Sequence, residues 1–134
     1  MTRLLLVSAG ALIDGDGRTL LAQRPEGKAH AGLWEFPGGK IMDAETPEDA
    51  LVRELREELG VETEQSCLAP IAFASSDMGE RHLLMPLFIC RKWRGQPQPL
   101  EAQALRWVRP ERLLDFDMPP ADRPLAAQLR DFLR

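Results

Sequence analysis

The chain has 134 residues, a length typical of one domain with a hydrophobic core that needs no disulfides. Residues 45–58 contain six acidic residues and two arginines, which accounts for the whole net charge of −4. Positive and negative charges balance in the rest of the chain. Nothing in this balance suggests a face that binds a nucleic acid polymer, and no apolar run reaches the roughly 20 residues of a membrane span. We therefore expect a single domain over residues 1–134, with neither a nucleic acid polymer nor a membrane as partner.

The two cysteines, Cys67 and Cys90, lie far apart in apolar surroundings and lack the spacing of a metal site. We interpret them as buried free thiols, which indicates a reducing compartment. Residues 1–13 superficially resemble a signal peptide, but they have no clear cleavage site and run directly into a turn. The expected location is therefore the cytoplasm.

The first third of the chain predicts three strands. Residues 4–13 are largely apolar and predict a buried strand, and the Asp-Gly-Asp-Gly run at 14–17 is a strong turn signal. Residues 19–23 return as the second strand, which makes a hairpin. After a polar loop, residues 33–36 predict a short third strand.

The next segment predicts a helix with recognisable ends. Thr46 is the expected N-cap, Pro47 suits the first helical position, and Asp49 completes a capping-box pattern. Gly60 supplies the left-handed residue that ends a helix. The side expected to face the core carries Val52, Leu55 and Leu59.

Another side of this helix carries three carboxylates, Glu54, Glu57 and Glu58, at positions i, i+3 and i+4. They repel one another, and their place near the C-terminal end opposes the helix macrodipole. Hard oxygen ligands grouped in this way suit Mg²⁺ or Mn²⁺. The competing interpretation is a solvated charged face, which is the common case for a Glu-rich helix.

The second half of the chain predicts three more strands and two helical pieces: strands over 61–76, 82–93 and 104–108, one helical turn over 111–114 and a helix over 122–133. Pro86 lies inside the second of these strands, which predicts an edge position or a bulge. Strands and two helices mixed in this order favour an α/β layered domain.

Nine positions across the central helix and the turn before it match the pattern Gly-x5-Glu-x7-Arg-Glu-U-x-Glu-Glu-x-Gly-U, where U is bulky and aliphatic: Gly39, Glu45, Arg53, Glu54, Leu55, Glu57, Glu58, Gly60 and Val61. This is similar to the Nudix hydrolase signature at every specified position, which is far more specific than a lone Gly-x-Gly-x-x-Gly. The resemblance implies an α/β/α sandwich around a mixed β-sheet. It also implies hydrolysis of a nucleoside triphosphate to the monophosphate and pyrophosphate, with Mg²⁺ as cofactor and Mn²⁺ as a possible substitute.

The resemblance also implies roles for individual residues. The expected metal ligands are the carbonyl of Gly38 and the carboxylates of Glu54, Glu57, Glu58 and Glu101. The expected catalytic residues are Glu54, Arg53 and Glu57. Glu54 is our choice of general base, although Glu101 stays open for that role or as an ordinary loop residue. Arg53 is expected to orient a neighbouring carboxylate, and Glu45 to brace the loop before the helix.

Outside the signature, the chain resembles the MutT-type subgroup of this family over residues 20–24, 32–40, 81–82 and 119–122. The subgroup implies that Arg24 and Arg81 contact the nucleotide and that Phe36 helps to form the base pocket. Lys40 is placed to contact phosphate, or it is merely a solvated turn residue.

Asp122 is where the chain departs from the subgroup, whose best-known members that remove oxidised guanine nucleotides carry Asn there. An amide donates and accepts, whereas an ionised carboxylate only accepts. Asp122 can accept from 8-oxoguanine or from the amino group of cytosine, and bacterial relatives that act on cytidine nucleotides share its Pro-Ala-Asp context. The alternative is that Asp122 simply caps the last helix.

The expected function is therefore removal of 8-oxo-dGTP, with hydrolysis of CTP or modified dCTP as the alternative. A Nudix module that binds a nucleotide without hydrolysing it is an alternative of another class. The sequence leaves open whether the protein is a monomer or a homodimer.

Overall fold

The structure, a computed structural model, describes residues 2–134 and contains strands and helices in mixed order. The strands are β1 (Arg3–Leu12), β2 (Thr19–Gln23), β3 (Trp34–Glu35), β4 (Gly38–Lys40), β5 (Leu68–Asp77), β6 (Arg81–Cys90) and β7 (Ala104–Val108). The α-helices are α1 (Pro47–Leu59) and α2 (Asp122–Phe132), and 3₁₀ turns cover Gln65–Cys67 and Pro110–Asp115.

The strands form two sheets. The first has the order β4-β1-β6-β5 and is mixed, because β1 is parallel to β6 and antiparallel to β4. The second has the order β3-β2-β7 and is antiparallel. The predicted α/β class is confirmed, with the strands divided between two sheets instead of one.

The two helices pack on opposite faces of the strands. Successive residues of a strand point to opposite faces, so Ala11 of β1 lies in the cluster with α2, whereas Leu12 lies in the cluster with α1. On α1, Leu51, Leu55 and Leu59 are fully buried. The sequence predicts Val52 in place of Leu51, but Val52 is only partly buried at the edge of the same cluster.

The predicted ends of α1 are confirmed. The Thr46 hydroxyl accepts a hydrogen bond from the Asp49 N–H at 3.1 Å, and Gly60 adopts the left-handed conformation with φ of 73°. The Asp49 carboxylate accepts from the side-chain amide of Gln65 instead of closing the capping box. Local sequence therefore sets both ends of α1, and with them the positions of its carboxylates along the helix.

Of the two positions expected for Pro86, an edge or a bulge, the edge is wrong. Its strand, β6, lies between β1 and β5, and the ladder to β1 is interrupted between Leu84 and Leu87, around the residue that lacks an N–H. A register shift lies in the neighbouring β5, between Pro70 and Ala72. The proline is thus accommodated inside the sheet by a gap in the ladder to β1, while the register shift in β5 lies opposite Leu87 and Phe88.

The strand predicted over 61–76 begins only at Leu68, because residues 65–67 form a 3₁₀ turn. The cysteines are both free, as predicted, although only Cys90 is buried and Cys67 is half-buried. In the part of the chain that the structure describes, neither helix has the length and apolar character to cross a membrane.

Candidate active site

The acidic face of α1 lies against two glycines of β4. A Cβ atom at Gly39 would overlap the Glu54 carboxylate, and one at Gly38 would overlap the Ser8 carbonyl. Gly38 also has φ of 153°, a conformation that side chains disfavour. Glycine at position 39 therefore lets the Glu54 carboxylate lie directly on the strand backbone, and glycine at position 38 lets β4 pack closely against β1.

Arg53 connects the helix to the loop that precedes it. Its guanidinium binds the Glu45 carboxylate at 2.7 Å and 2.9 Å, Glu54 at 3.0 Å and Glu57 at 3.3 Å. It also donates to the Lys40 carbonyl at 3.0 Å. The hydrogen bonds from Arg53, together with a backbone N–H, lower the pKa of Glu45 to about 2. Glu45 thus braces the loop, and Arg53 fixes the orientation of two carboxylates on α1.

Glu58 is the most buried carboxylate of this face, with 7% of its surface exposed. Its Oε2 accepts from the Gly38 N–H at 3.1 Å. Burial raises its pKa to about 8, and the negative charges of Glu35, Glu101 and Glu54 act in the same direction. In this environment Glu58 is hard to ionise unless a positive charge comes close.

Glu54 partly shares this environment. Burial raises the pKa of Glu54 although Arg53 opposes the shift, and the charges of Glu57 and Glu101 add to it. A group of carboxylate oxygens that repel one another, next to the backbone of a glycine strand, is suited to a hard divalent cation. The residues present therefore fit the metal that the sequence implies.

The expected ligands are near one another but are not arranged as a ligand set. Within residues 2–134, no three His, Cys, Asp or Glu side chains have positions that could hold a metal ion. Each carboxylate turns to the nearest N–H donor instead: Glu54 and Glu57 to Arg53, and Glu58 to the backbone of Gly38. Glu57 is also about half exposed. Binding a cation would require these side chains to leave their present partners.

A cavity of about 380 Å³ adjoins the acidic face at the two glycines. Its walls come from β1, β4 and β6, the loop after β2, the hairpin between β5 and β6, and the segment before α2. Four of the five predicted substrate residues line it: Arg24, Phe36, Lys40 and Asp122. The acidic face and most of the predicted substrate site therefore form one continuous region.

Arg81 and Glu101 lie outside the lining of this cavity. Arg81 is exposed at the start of β6, although Met78 of the adjoining hairpin does line the cavity. Glu101 is exposed in the loop before β7, and its charge reaches Glu54 and Glu58. The structure thus brings Glu101 near the acidic face and leaves Arg81 at the outer rim.

Asp122 is buried in the cavity wall, with 5% of its surface exposed. Its Oδ2 accepts from the Phe36 N–H at 3.1 Å, and the N-cap of α2 is Ala121. The alternative that Asp122 caps the last helix is therefore wrong. Burial raises its pKa to about 7, and the charge of Glu35 adds to the shift.

Glu35 and His30 also line the cavity, and the sequence patterns assign neither of them a role. Glu35 accepts from Arg24 at 3.0 Å, and burial raises its pKa against the effect of this arginine. The available signal is an acidic residue between two aromatic residues in a short strand. His30 has φ of 59°, and only the structure reveals that such a strained residue lies at the cavity.

Comparison with protein families matches residues 4–129 to the NUDIX domain. The chain belongs to this family. It is 43% identical over 115 residues to the CTP pyrophosphohydrolase of Escherichia coli K12, covering 86% of this chain and 84% of that protein. It is 32% identical over 126 residues to the 8-oxo-dGTP diphosphatase of the same strain, covering 94% and 96%. The solution structure of the E. coli ORF135 protein superposes with a TM-score of 0.87 at 37% identity, covering 98% and 91%.

These similarities confirm the MutT-type resemblance and the expectation of a hydrolase that acts on phosphoanhydride bonds. Nudix hydrolases generally require a divalent metal ion and act on nucleotide substrates. Because its relatives are enzymes, the alternative of a module that binds nucleotides without hydrolysis is set aside.

We predict that the free energy of unfolding of the chelator-treated protein falls as the pH rises from about 5 to about 8. The pKa values of Glu58 and Asp122, ordinarily 4.5 and 3.8, are raised to about 8 and about 7. In this window the folded state retains protons that the unfolded chain has released, so stability is lost as the pH rises. Urea denaturation at several pH values measures the slope.

The double variant Glu58→Gln/Asp122→Asn keeps an acceptor for both backbone N–H groups but cannot titrate, so its slope should be flatter. The lowered pKa of Glu45 acts only below its ordinary value of 4.5 and leaves this window unaffected. A double variant with the wild-type slope would contradict the prediction.

Proposed function

We propose that this Nudix hydrolase is a Mg²⁺-dependent nucleoside triphosphate pyrophosphohydrolase, for which Mn²⁺ can substitute. It releases a nucleoside monophosphate and pyrophosphate, and its role is to clear damaged or modified nucleotides in the cytoplasm. The observation that carries the proposal is the position of the Glu54 carboxylate, directly on the Gly39 backbone and at the end of a cavity with polar and apolar walls. The free thiols of Cys67 and Cys90 are consistent with a reducing compartment.

The metal would be held by the acidic face and the adjoining backbone: Gly38, Glu54, Glu57, Glu58 and Glu101. When bound, a divalent cation supplies charge neutralisation at the phosphate oxygens and lowers the pKa of a bound water. Glu54 takes the proton of the attacking water, because it is the carboxylate placed on the glycine backbone and oriented by Arg53. Glu57, bound to the same guanidinium nitrogen of Arg53 as Glu54, completes the charge of the site.

The rest of the nucleotide, away from the metal, occupies the cavity. Arg24 and Lys40 are at its rim and supply positive charge for the phosphates. Phe36 and Asp122 lie deeper, where an apolar wall and one buried carboxylate are suited to hold a base. Arg81 lies at the outer hairpin, so we assign it a contact with the exposed part of the nucleotide.

The first candidate substrate is 8-oxo-dGTP, which fits the names of several relatives. A cytidine nucleotide is the second candidate, and two observations favour it. Asp122 presents a carboxylate that accepts from an exocyclic amine, and the relative with 43% identity is a CTP pyrophosphohydrolase. A panel of canonical and oxidised nucleoside triphosphates, with identification of the released product, tests the proposal. Release of phosphate instead of pyrophosphate, or no hydrolysis of any member, would contradict it.

We predict that Glu54→Gln and Glu57→Gln each lower kcat by several orders of magnitude and leave the fold intact. These substitutions keep the shape of the side chain and remove its charge, which the site requires. The control is Glu48→Gln in the first turn of the same helix. It should change kcat little. An equal loss in all three variants would indicate that helix stability, and not the chemistry of the acidic face, limits the activity.

A second prediction concerns the base. Asp122→Asn retains an acceptor for the Phe36 N–H and gains a donor, so it should change the ratio of kcat/KM between 8-oxo-dGTP and dCTP by at least about tenfold. Hydrolysis of the preferred substrate should persist. Asp122→Ala should weaken discrimination against dGTP and dTTP. If both variants keep the wild-type ranking of substrates, Asp122 does not read the base.

A further inference from the structure

The loop that carries Glu101 is anchored at its first end to the C-terminus of α1. The Gln98 N–H donates to the Leu59 carbonyl at 2.9 Å, and the Leu100 N–H donates to the Glu58 carbonyl at 3.2 Å. The last carbonyls of a helix have no partner within the helix, so this loop satisfies them. Glu101 follows directly and is thereby placed near the acidic face.

The second end of the same loop is anchored to a different part of the molecule. The Gln103 N–H donates to the Gln23 carbonyl at 3.0 Å, where the β2–β7 ladder begins. The side-chain Nε2 of Gln103 donates to the Arg24 carbonyl at 2.8 Å and lies 3.4 Å from the Glu26 carboxylate. The side chain is exposed, so core packing does not explain its position.

The Arg24 carbonyl is also where the loop over residues 24–33 closes. It accepts from the Gly32 N–H at 3.0 Å, while the Arg24 N–H donates to the Leu33 carbonyl at 2.8 Å. The Arg24 side chain donates to the Ala29 carbonyl at 2.7 Å. Arg24, Ala29 and His30 of this loop line the cavity. The Arg24 carbonyl therefore receives one donor from its own loop and one from the loop that carries Glu101.

We propose that Gln103 is a positioning residue that couples the Glu101 loop to the Arg24 loop, so that ordering one loop favours the ordered state of the other. The inference rests on the proposed function, in which Glu101 helps to hold the metal and Arg24 contacts the nucleotide. Gln103 lies two positions after Glu101, a span of at most about 7 Å, so movement at the anchor is transmitted to the Glu101 carboxylate.

The test compares four variants in the full chain. Gln103→Glu has the same shape but cannot donate and repels Glu26, and Gln103→Ala removes the side chain. Gln103→Lys keeps a donor for the Arg24 carbonyl and a partner for Glu26. The matched control is Gln98→Ala, because Gln98 is an exposed glutamine of the same loop that is anchored through its backbone N–H.

The readouts are the affinity for CMP and 8-oxo-dGMP with a chelator present, and hydrogen exchange of the amides at 24–33 and 98–103. Gln103→Glu and Gln103→Ala should weaken binding about three- to tenfold and accelerate exchange at 24–33, since one exposed hydrogen bond is lost. In the wild type and in Gln103→Lys, nucleotide binding should also slow hydrogen exchange at 98–103. In Gln103→Glu and Gln103→Ala it should not. With triphosphates, KM should rise more than kcat falls.

Wild-type affinity and exchange in Gln103→Glu and Gln103→Ala would overturn the coupling. So would an equal loss in Gln98→Ala, which would indicate a general effect of loop polarity. If the wild type neither hydrolyses triphosphates nor binds the monophosphates, the proposed function fails. Exchange at 24–33 in the free protein then decides whether Gln103 orders that loop, and an unchanged rate there would overturn the inference independently.

Discussion

The site depends on the close contact between α1 and the two glycines of β4. The contact brings the Glu54 carboxylate onto the strand backbone and buries Glu58 beside it. Contacts between β1 and the start of α1 support it: the Ser8 hydroxyl donates to the Pro47 carbonyl at 2.8 Å, and Gly10 leaves room for the Leu51 side chain. Close packing here forces like charges into a partly dry environment, which opposes folding unless a cation compensates.

Acidic groups are also buried in the cavity, away from the acidic face. Asp122 and Glu35 are acidic groups with largely buried side chains, and each has a pKa raised by burial. Glu35 has Arg24 as a partner, whereas Asp122 has one backbone N–H and room for a further donor. Such groups are costly in a wall that only supports the fold, so they indicate that a ligand donates hydrogen bonds there.

The sequence predicts what depends on near neighbours. The caps of α1, its row of carboxylates, the strand at 104–108 and the helix after Asp122 all follow from patterns within a few residues, and the structure has them. Contacts between segments that are distant in sequence could not be predicted. The bond between Phe36 and Asp122 joins residues 86 positions apart, which is why the helix-cap alternative stayed open until the structure was known.

Pro86 illustrates the same limit for the sheet. A proline inside a strand normally indicates an edge, because it removes a ladder hydrogen bond. Here the β1–β6 ladder has a gap at Pro86, but the two strands pair on both sides of that gap. β6 therefore remains a central strand. The partner strands that make this possible lie far away in sequence. Likewise, the row of three carboxylates on α1 follows from helical spacing, but the hydrogen bonds of Glu54 and Glu57 to Arg53 depend on the folded geometry.

The most direct test of the account is the melting temperature of the wild type and of Glu58→Gln, each with a chelator and with saturating Mg²⁺. If repulsion on a buried acidic face is what a cation relieves, Mg²⁺ raises the melting temperature of the wild type. Glu58→Gln is then more stable than the wild type in chelator and gains much less from Mg²⁺. A wild type that does not respond to Mg²⁺ or Mn²⁺, or a variant that gains as much as the wild type, would contradict the central claim.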